Sequence, residues 1–194
     1  MEVGLCDDLA TRGYVAVAPD TFGGRCTTWI PRALALAYPH ALKPGATWGV
    51  EAVHSAVEWV KQQPGVDPSR VAVAGFCYGG GSALRYAAAY PGSAAAVGVF
   101  YGRPLQEGTA AAYAALAAGG IPVFGAFGGR DQQFPPAVVD AFESELASAG
   151  VAFDIRRYPN QGHAFIGDVA ATRDAGSDAA DAWGAFVEFL EQRL

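Results

Sequence analysis

Cysteine is scarce in this sequence: there are three, Cys6, Cys26 and Cys77, in 194 residues, with no Cys-x-x-Cys pair and no Cys/His metal spacing. That excludes a disulfide scaffold and a zinc module, and points to free thiols in a reducing compartment, read here as the cytoplasm. No basic run or stripe is present, which argues against nucleic acid as a partner. No charged-then-apolar leader opens the chain, and no apolar run reaches the roughly 18 residues of a membrane-spanning helix. Walker and dinucleotide fingerprints are absent, and Gly23-Gly24 is too slight to be a phosphate loop. Charge is low as well, at 16% of residues with a net of −6, against 52% hydrophobic residues. Such a chain buries a sizeable core and is not disordered. Its length fits a single domain spanning 1–194, and its acidity speaks to solubility more than to partners.

What is present is a series of short apolar runs separated by helical patterns. Gly13–Asp20 (GYVAVAPD) reads as a buried strand ending in a Pro-Asp loop. Val71–Gly75, Ala95–Tyr101 and Ile121–Phe127 read as further strands, and Ala152–Tyr158, more polar, as a strand nearer an edge. Trp48–Gln62 places Val50, Val53, Val57 and Val60 at helical spacing. Gly79–Tyr90, Pro136–Ala149 and Ala179–Leu194 carry comparable patterns, and the chain opens on a helix-like segment, VGLCDDLATRGY. Gly and Pro punctuate the joins. Alternation of this kind predicts an α/β fold: a doubly wound, mostly parallel sheet with helices on both faces. Thr21–Thr47, Gly102–Thr109 and Gln161–Ser177 are irregular, and the first is long enough to be functional or to hide a short helix. Ala110–Ala118 is merely Ala-rich. Sheets of this type have further strands before such an opening helix, so the expectation is of a fold lacking its N-terminal strands.

The sharpest local signal is Gly75-Phe76-Cys77-Tyr78-Gly79-Gly80, which follows a strand and opens a helix. This is a nucleophile elbow with Cys in place of the commoner Ser. The turn must be tight enough to lift the nucleophile above the strand, and Gly75 and Gly79 keep side chains out of it. It aims the Tyr78 amide at a developing oxyanion. The helix N-terminus beneath it favours a thiolate at Cys77. Asp131 follows the fourth strand, in Gly-Gly-Arg-Asp, and His163 follows the fifth, in Gly-His-Ala-Phe. All three stand at strand ends, where open α/β sheets carry their sites, in the order nucleophile, acid, histidine. The roles follow: Cys77 attacks, His163 is the general base, and Asp131 orients the imidazole. Plainer readings exist for each. Cys77 would be a small buried hydrophobe, Asp131 a cap for the helix near Pro135, and His163 a solvated loop residue. His40, His54, Cys6 and Cys26 fit no such context. Phe76, Tyr101, Phe134 and Phe165 adjoin the strand ends as candidate substrate-binding residues, each equally readable as core.

At these residues the chain resembles the dienelactone hydrolase family of the α/β-hydrolase superfamily. The resemblance covers GYVAVAPD, WGVEAVHSAVEWV, DPSRVAVAGFCYGGG, GGRDQQFPP, GHAF and AADAWGAFVEFL. It implies a Cys-His-Asp triad, hydrolysis of small esters or lactones through a thioester acyl-enzyme, and neither metal nor organic cofactor. Family members that take dienelactone hold its carboxylate with arginines, one shortly after the histidine. Here Ala164, Phe165, Ile166 and Gly167 follow His163, and no arginine occurs before Arg173, which argues against that substrate. Arg25, Arg32 and Arg85 remain candidate anchors, although such arginines are more often surface or ion-paired. The family's second oxyanion amide, and an acid that contacts the nucleophile, come from a segment preceding the opening helix. Glu2 stands close to that place in sequence. The expected partner is a small ester or lactone, with no nucleic acid and no membrane, bound by a monomer. The alternatives are a non-catalytic or inactive fragment of this fold, and a thioesterase or peptidase on it.

Overall fold

The computed structural model describes residues 2–25, 27, 29–43, 45–105 and 109–194. Cys26 lies outside them. Among the described residues, four strands form one sheet in the order β1 (Ala72–Phe76), β2 (Ala96–Phe100), β3 (Val123–Gly128) and β4 (Phe153–Tyr158). Every ladder is parallel, with Val73 opposite Val97, Val97 opposite Val123 and Val123 opposite Phe153. Parallel strands need crossovers, and each is a helix: α4 (Tyr78–Ala89), α5 (Ala110–Ala118) and α6 (Pro136–Ala149). α1 (Glu2–Thr11), α2 (Ile30–Ala37) and α3 (Val50–Lys61) precede the sheet, and α7 (Asp178–Arg193) closes the chain.

The alternating side chains of the strands feed two cores. On one face Val73, Val97, Val99 and Val123 pack with Val53 and Val57 of α3, Leu84 and Tyr86 of α4, Leu116 of α5, and Phe142 and Leu146 of α6. On the other, Phe100, Phe124 and Ala126 pack with Leu5 of α1 and with Trp183, Phe186, Val187 and Leu190 of α7. Fully burying one such aliphatic or aromatic side chain contributes about 1.5–3 kcal/mol. Helices therefore cover both faces, as the alternation predicts. α7 is well capped: Ser177 accepts from the Ala180 amide at 3.0 Å, and Asp178 and Asp181 lie in the first turn. β4 is the edge strand its polarity predicts. Arg156 pairs with Asp154, and Arg157 with Asp140 and Glu143, so charge blunts that edge.

Two expectations need revision. Gly13–Asp20 is not a strand. It runs as irregular chain, and Val15 and Val17 are 55% and 42% exposed. An apolar run becomes a strand only where a neighbour takes its N–H and C=O groups, and no ladder joins this run to β1. Tyr14 is drawn in, half-buried against the core that Leu5 and the α7 side chains form. The Ala-rich stretch 110–118, in contrast, is a helix that buries Tyr113 and Leu116. Alanine's high helix propensity suffices there, although the composition leaves no apolar period to read. The long 21–47 stretch holds α2 and a π-helical turn at Tyr38–Leu42, and 161–177 holds a 3-10 turn at Ala171–Arg173.

Candidate active site

Backbone pairing continues past the strand ends and lays out the site. The Cys77 amide donates to Phe100 O at 2.9 Å, the Tyr101 amide to Ala126 O at 2.7 Å, and the Gly129 amide to Tyr158 O at 2.8 Å. The Arg130 amide then donates to Gln161 O at 2.8 Å. Gly128 and Gly129 make this approach possible, because a Cβ on either would strike the backbone of Pro159–Gly162. The loop after β4 is thereby drawn against the loop after β3, and His163 is delivered beside Asp131.

The imidazole bridges two partners. Its Nδ1 lies 2.8 Å from Asp131 Oδ2 and its Nε2 lies 3.0 Å from Cys77 Sγ. Asp131 has a fully buried side chain, and its other oxygen, Oδ1, accepts from the amides of Gln133 (2.7 Å) and Phe134 (3.2 Å). It therefore pins the turn ahead of α6, whose N-cap is Pro135 without a side-chain cap, and faces the histidine at once. Three neighbours pay the cost of burying its charge.

Cys77 sits at φ 51°, ψ −114°, a conformation that costs a non-glycine residue about 1–3 kcal/mol. The other non-glycine residues with positive φ among the described residues are Trp48, Tyr101 and Ala164, all next to the site. Strain is thus concentrated around the nucleophile and the histidine. The close approach that shapes the elbow is narrower than the glycine pattern implies. A Cβ on Gly75 would collide with the backbone of Gly79, whereas a Cβ on Gly79 would meet nothing within 4 Å. The further tight point is Gly80 against Gly102, where a Cβ on Gly80 would lie 3.1 Å from the Gly102 Cα.

The electrostatics revise another expectation. Cys77 is exposed at the surface, yet the protein mass around it removes water on its inner side, and this desolvation pushes its thiol up. The Tyr78 amide hydrogen-bonds the sulfur and opposes the shift, while the charge of Asp131 adds to it. Burial thus works against the helix N-terminus and favours the protonated thiol.

Tyr101 and Phe134 are buried, and both pack on the imidazole, with ring centroids 5.3 and 5.7 Å from it. The Tyr101 hydroxyl donates to Ile166 O at 3.2 Å, and burial, then the nearby Cys77 and Glu2 charges, hold its phenol well above the ordinary range. Phe76 and Phe165 are half-buried and reach the surface beside the nucleophile, Phe76 stacked on Phe100 and Phe165 edge-on to Tyr101. On the other side of the elbow Tyr78 stacks on Trp48, with centroids 5.5 Å apart, and leans on Phe22. Neither Trp48 nor Phe22 stood out as a site residue in the sequence: Phe22 lies in an irregular stretch, and Trp48 opens a helical pattern whose apolar period runs through its valines. Arg25 and Arg32 are exposed. His40 packs edge-on to Phe22, and His54 stacks on Tyr90 at 3.9 Å. Among the described residues no group of three or more His, Cys, Asp or Glu side chains is arranged to hold a metal, and no helix is long and apolar enough to cross a membrane.

Comparison with known proteins matches residues 2–194 to the model of the dienelactone hydrolase family. A protein of Escherichia coli K12 named "Putative carboxymethylenebutenolidase" is 30% identical over 97% of the chain and 70% of its own length. The carboxymethylenebutenolidase of Rhodococcus opacus is 32% identical over 66% of the chain and 52% of its own length. The crystal structure of "Putative Dienelactone Hydrolase" from Klebsiella pneumoniae superposes with a TM-score of 0.77 at 25% identity, over 97% of this chain and 79% of that one.

Proposed function

From the premise that the chain belongs to the dienelactone hydrolase family, we propose that it hydrolyses small carboxylic esters or lactones with Cys77 as nucleophile, His163 as general base and Asp131 as the orienting acid. One observation carries the reading: a single imidazole within hydrogen-bond reach of both a thiol sulfur and a buried carboxylate. A protonated thiol, which burial favours, sets the order of events. His163 Nε2 takes the Sγ proton as the sulfur attacks the carbonyl carbon, and the Tyr78 amide, already directed at that sulfur, donates to the oxyanion. The carbon–oxygen bond to the leaving group breaks, and the imidazolium returns its proton to the departing alkoxide. A water deprotonated by His163 then cleaves the thioester, releasing the acid and restoring the thiol. Asp131 fixes the tautomer that presents Nε2 as acceptor and stabilises the imidazolium.

Phe76 and Phe165 form the apolar wall for the substrate, while Tyr101 and Phe134 hold the imidazole from behind. The substrate is a small molecule, the protein acts as a monomer, and a nucleophilic thiol suits a reducing cytoplasm. The test is hydrolysis of simple aryl esters and lactones by the purified chain, with mass spectrometry of the quenched reaction. An acyl adduct on Cys77 and its loss in Cys77→Ala are expected. Undiminished esterase activity in Cys77→Ala would overturn the assignment. Thioesters and peptides in the same panel decide the leaving-group class.

A further inference from the structure

One cavity of the molecule lies away from the triad. It encloses about 790 Å³ between the Trp48–Val50 segment, α4, α5 and the loop after β2, and its lining includes neither Cys77 nor His163. That volume falls within the range of small-molecule sites. Its charged groups are of one sign: Arg85, Arg103 and Lys43 line it beside Thr47 and Thr109, and no carboxylate does among the described residues.

Arg85 is an unusual residue to find there. It projects from α4 over the Trp48 ring, 4.1 Å from the centroid. One terminal nitrogen donates to Gly81 O and Arg103 O and the other to Pro104 O, each at 3.0 Å. A guanidinium has five N–H donors, so these three bonds leave two unused. Among the described residues the charge has no acidic partner: its neighbour is Arg103, whose side chain makes no hydrogen bond or ion pair there. Burial, and secondarily the Arg103 charge, draw Arg85 down to about 10, so the protonated pair is held together at an electrostatic cost that a bound anion would remove. Around these cations the walls are apolar, made by Trp48, Val50, Ala88, Leu105 and Ala112.

We propose that this cavity binds a small organic carboxylate, its carboxylate on Arg103 and the two unused donors of Arg85 and its apolar body against Trp48, Val50 and Leu105. Bidentate recognition of a carboxylate is what paired guanidinium groups do best. The apolar walls select an aryl or branched-alkyl body over an inorganic anion. Lys43, on an exposed turn at the mouth, adds a further positive charge. The site is separate from the triad, and its test needs no hydrolysis.

The test is a fluorine-NMR titration of para-fluorobenzoate into the full chain carrying Cys77→Ala, with para-fluorobenzyl alcohol as the neutral counterpart. A saturable shift is expected for the carboxylate and none for the alcohol. Arg103→Ala should weaken binding on the order of ten-fold or more, the scale of a lost charge-assisted contact, and Arg103→Lys should restore part of it. Arg85→Ala is the poorer variant, since Arg85 also ties down the loop after β2. Lys43→Ala supplies the second variant, with a smaller loss expected. The proposal is overturned if no shift saturates, if Arg103→Ala leaves affinity unchanged, if the alcohol binds as tightly, or if inorganic phosphate displaces the benzoate at equal concentration.

Discussion

His163 Nε2 stands 3.0 Å from Cys77 Sγ although 86 residues separate them. The contact is made by backbone pairing on both sides: Cys77 is tied to the end of β2 through Phe100 O, and the loop before His163 is tied to the loop after β3 through Gln161 O. The distance is thus a property of the sheet edge and not of either loop alone. The predictions that follow each probe one part of that arrangement or of the fold that supports it.

Asp131→Asn should keep the fold and lose the chemistry. Asparagine Oδ1 can still accept from Gln133 and Phe134, but the group facing Nδ1 no longer stabilises a positive imidazole. We expect kcat on an aryl ester to fall on the order of 10²–10⁴-fold. KM and the far-ultraviolet dichroism should stay near wild type. An unchanged kcat would leave Asp131 only the structural role of pinning its turn.

The raised Cys77 thiol has a pH signature. In the His163→Ala variant, alkylation of Cys77 by iodoacetamide should keep accelerating past about pH 8.5, the ordinary thiol value. A plateau already reached at neutral pH would indicate a preformed thiolate instead. The stability sign follows from the same shift. A native value above the unfolded one gives stability that is complete below the unfolded value and is lost as pH rises through the native value. The urea midpoint of wild type should therefore decline relative to Cys77→Ala only on the alkaline side.

The two elbow glycines should part company. Gly75→Ala puts a methyl into the Gly79 backbone, and we expect a loss of more than ~3 kcal/mol or an insoluble protein. Gly79→Ala has open space around its Cβ and a helical position, so its thermal midpoint should stay level or rise, by about 0.5–1 kcal/mol equivalent. Equal effects at both positions would refute the elbow geometry described above.

Asp8 joins α1 to α7. Its Oδ2 accepts from Trp183 Nε1 at 2.9 Å and from Arg12 Nε at 3.0 Å, and Oδ1 faces Arg173 at 3.8 Å. Burial works to raise this carboxyl, and the bonds from Trp183 and Arg12 outweigh it, leaving it below its ordinary value. Asp8→Ala should cost about 1–3 kcal/mol at neutral pH, because the buried indole N–H loses its acceptor. A depressed native value contributes stability above the ordinary carboxylate range and loses it as pH falls through the native value. The gap between wild type and variant in denaturant midpoint should therefore narrow as pH drops below about 4.

Much of the site was legible before any coordinates. The elbow spells itself in Gly-Phe-Cys-Tyr-Gly, because a tight strand-to-helix turn admits few residues near the nucleophile. Asp131 and His163 were legible through their places after strands. Other parts were not. Phe22 lies in an irregular stretch and Trp48 at the very start of a helical pattern, and nothing local says that both meet Tyr78. Gly102 carries no sign in the sequence that Gly80 presses against it. The apolar run at 13–20 read as a strand and is not one, since strand formation depends on a partner that local sequence does not name.

What the sequence by itself determined is the alternation of apolar strands and amphipathic helices, the elbow, and the order of Cys77, Asp131 and His163. These are local patterns, written in residue spacing and turn chemistry. Only the tertiary structure decided the direction in which burial shifts the Cys77 thiol, the double duty of Asp131, and the gathering of Arg85, Arg103 and Lys43 around one cavity. Desolvation, charge proximity and shared burial depend on distances through space, and the chain sets those only when the sheet and its helices have closed around them.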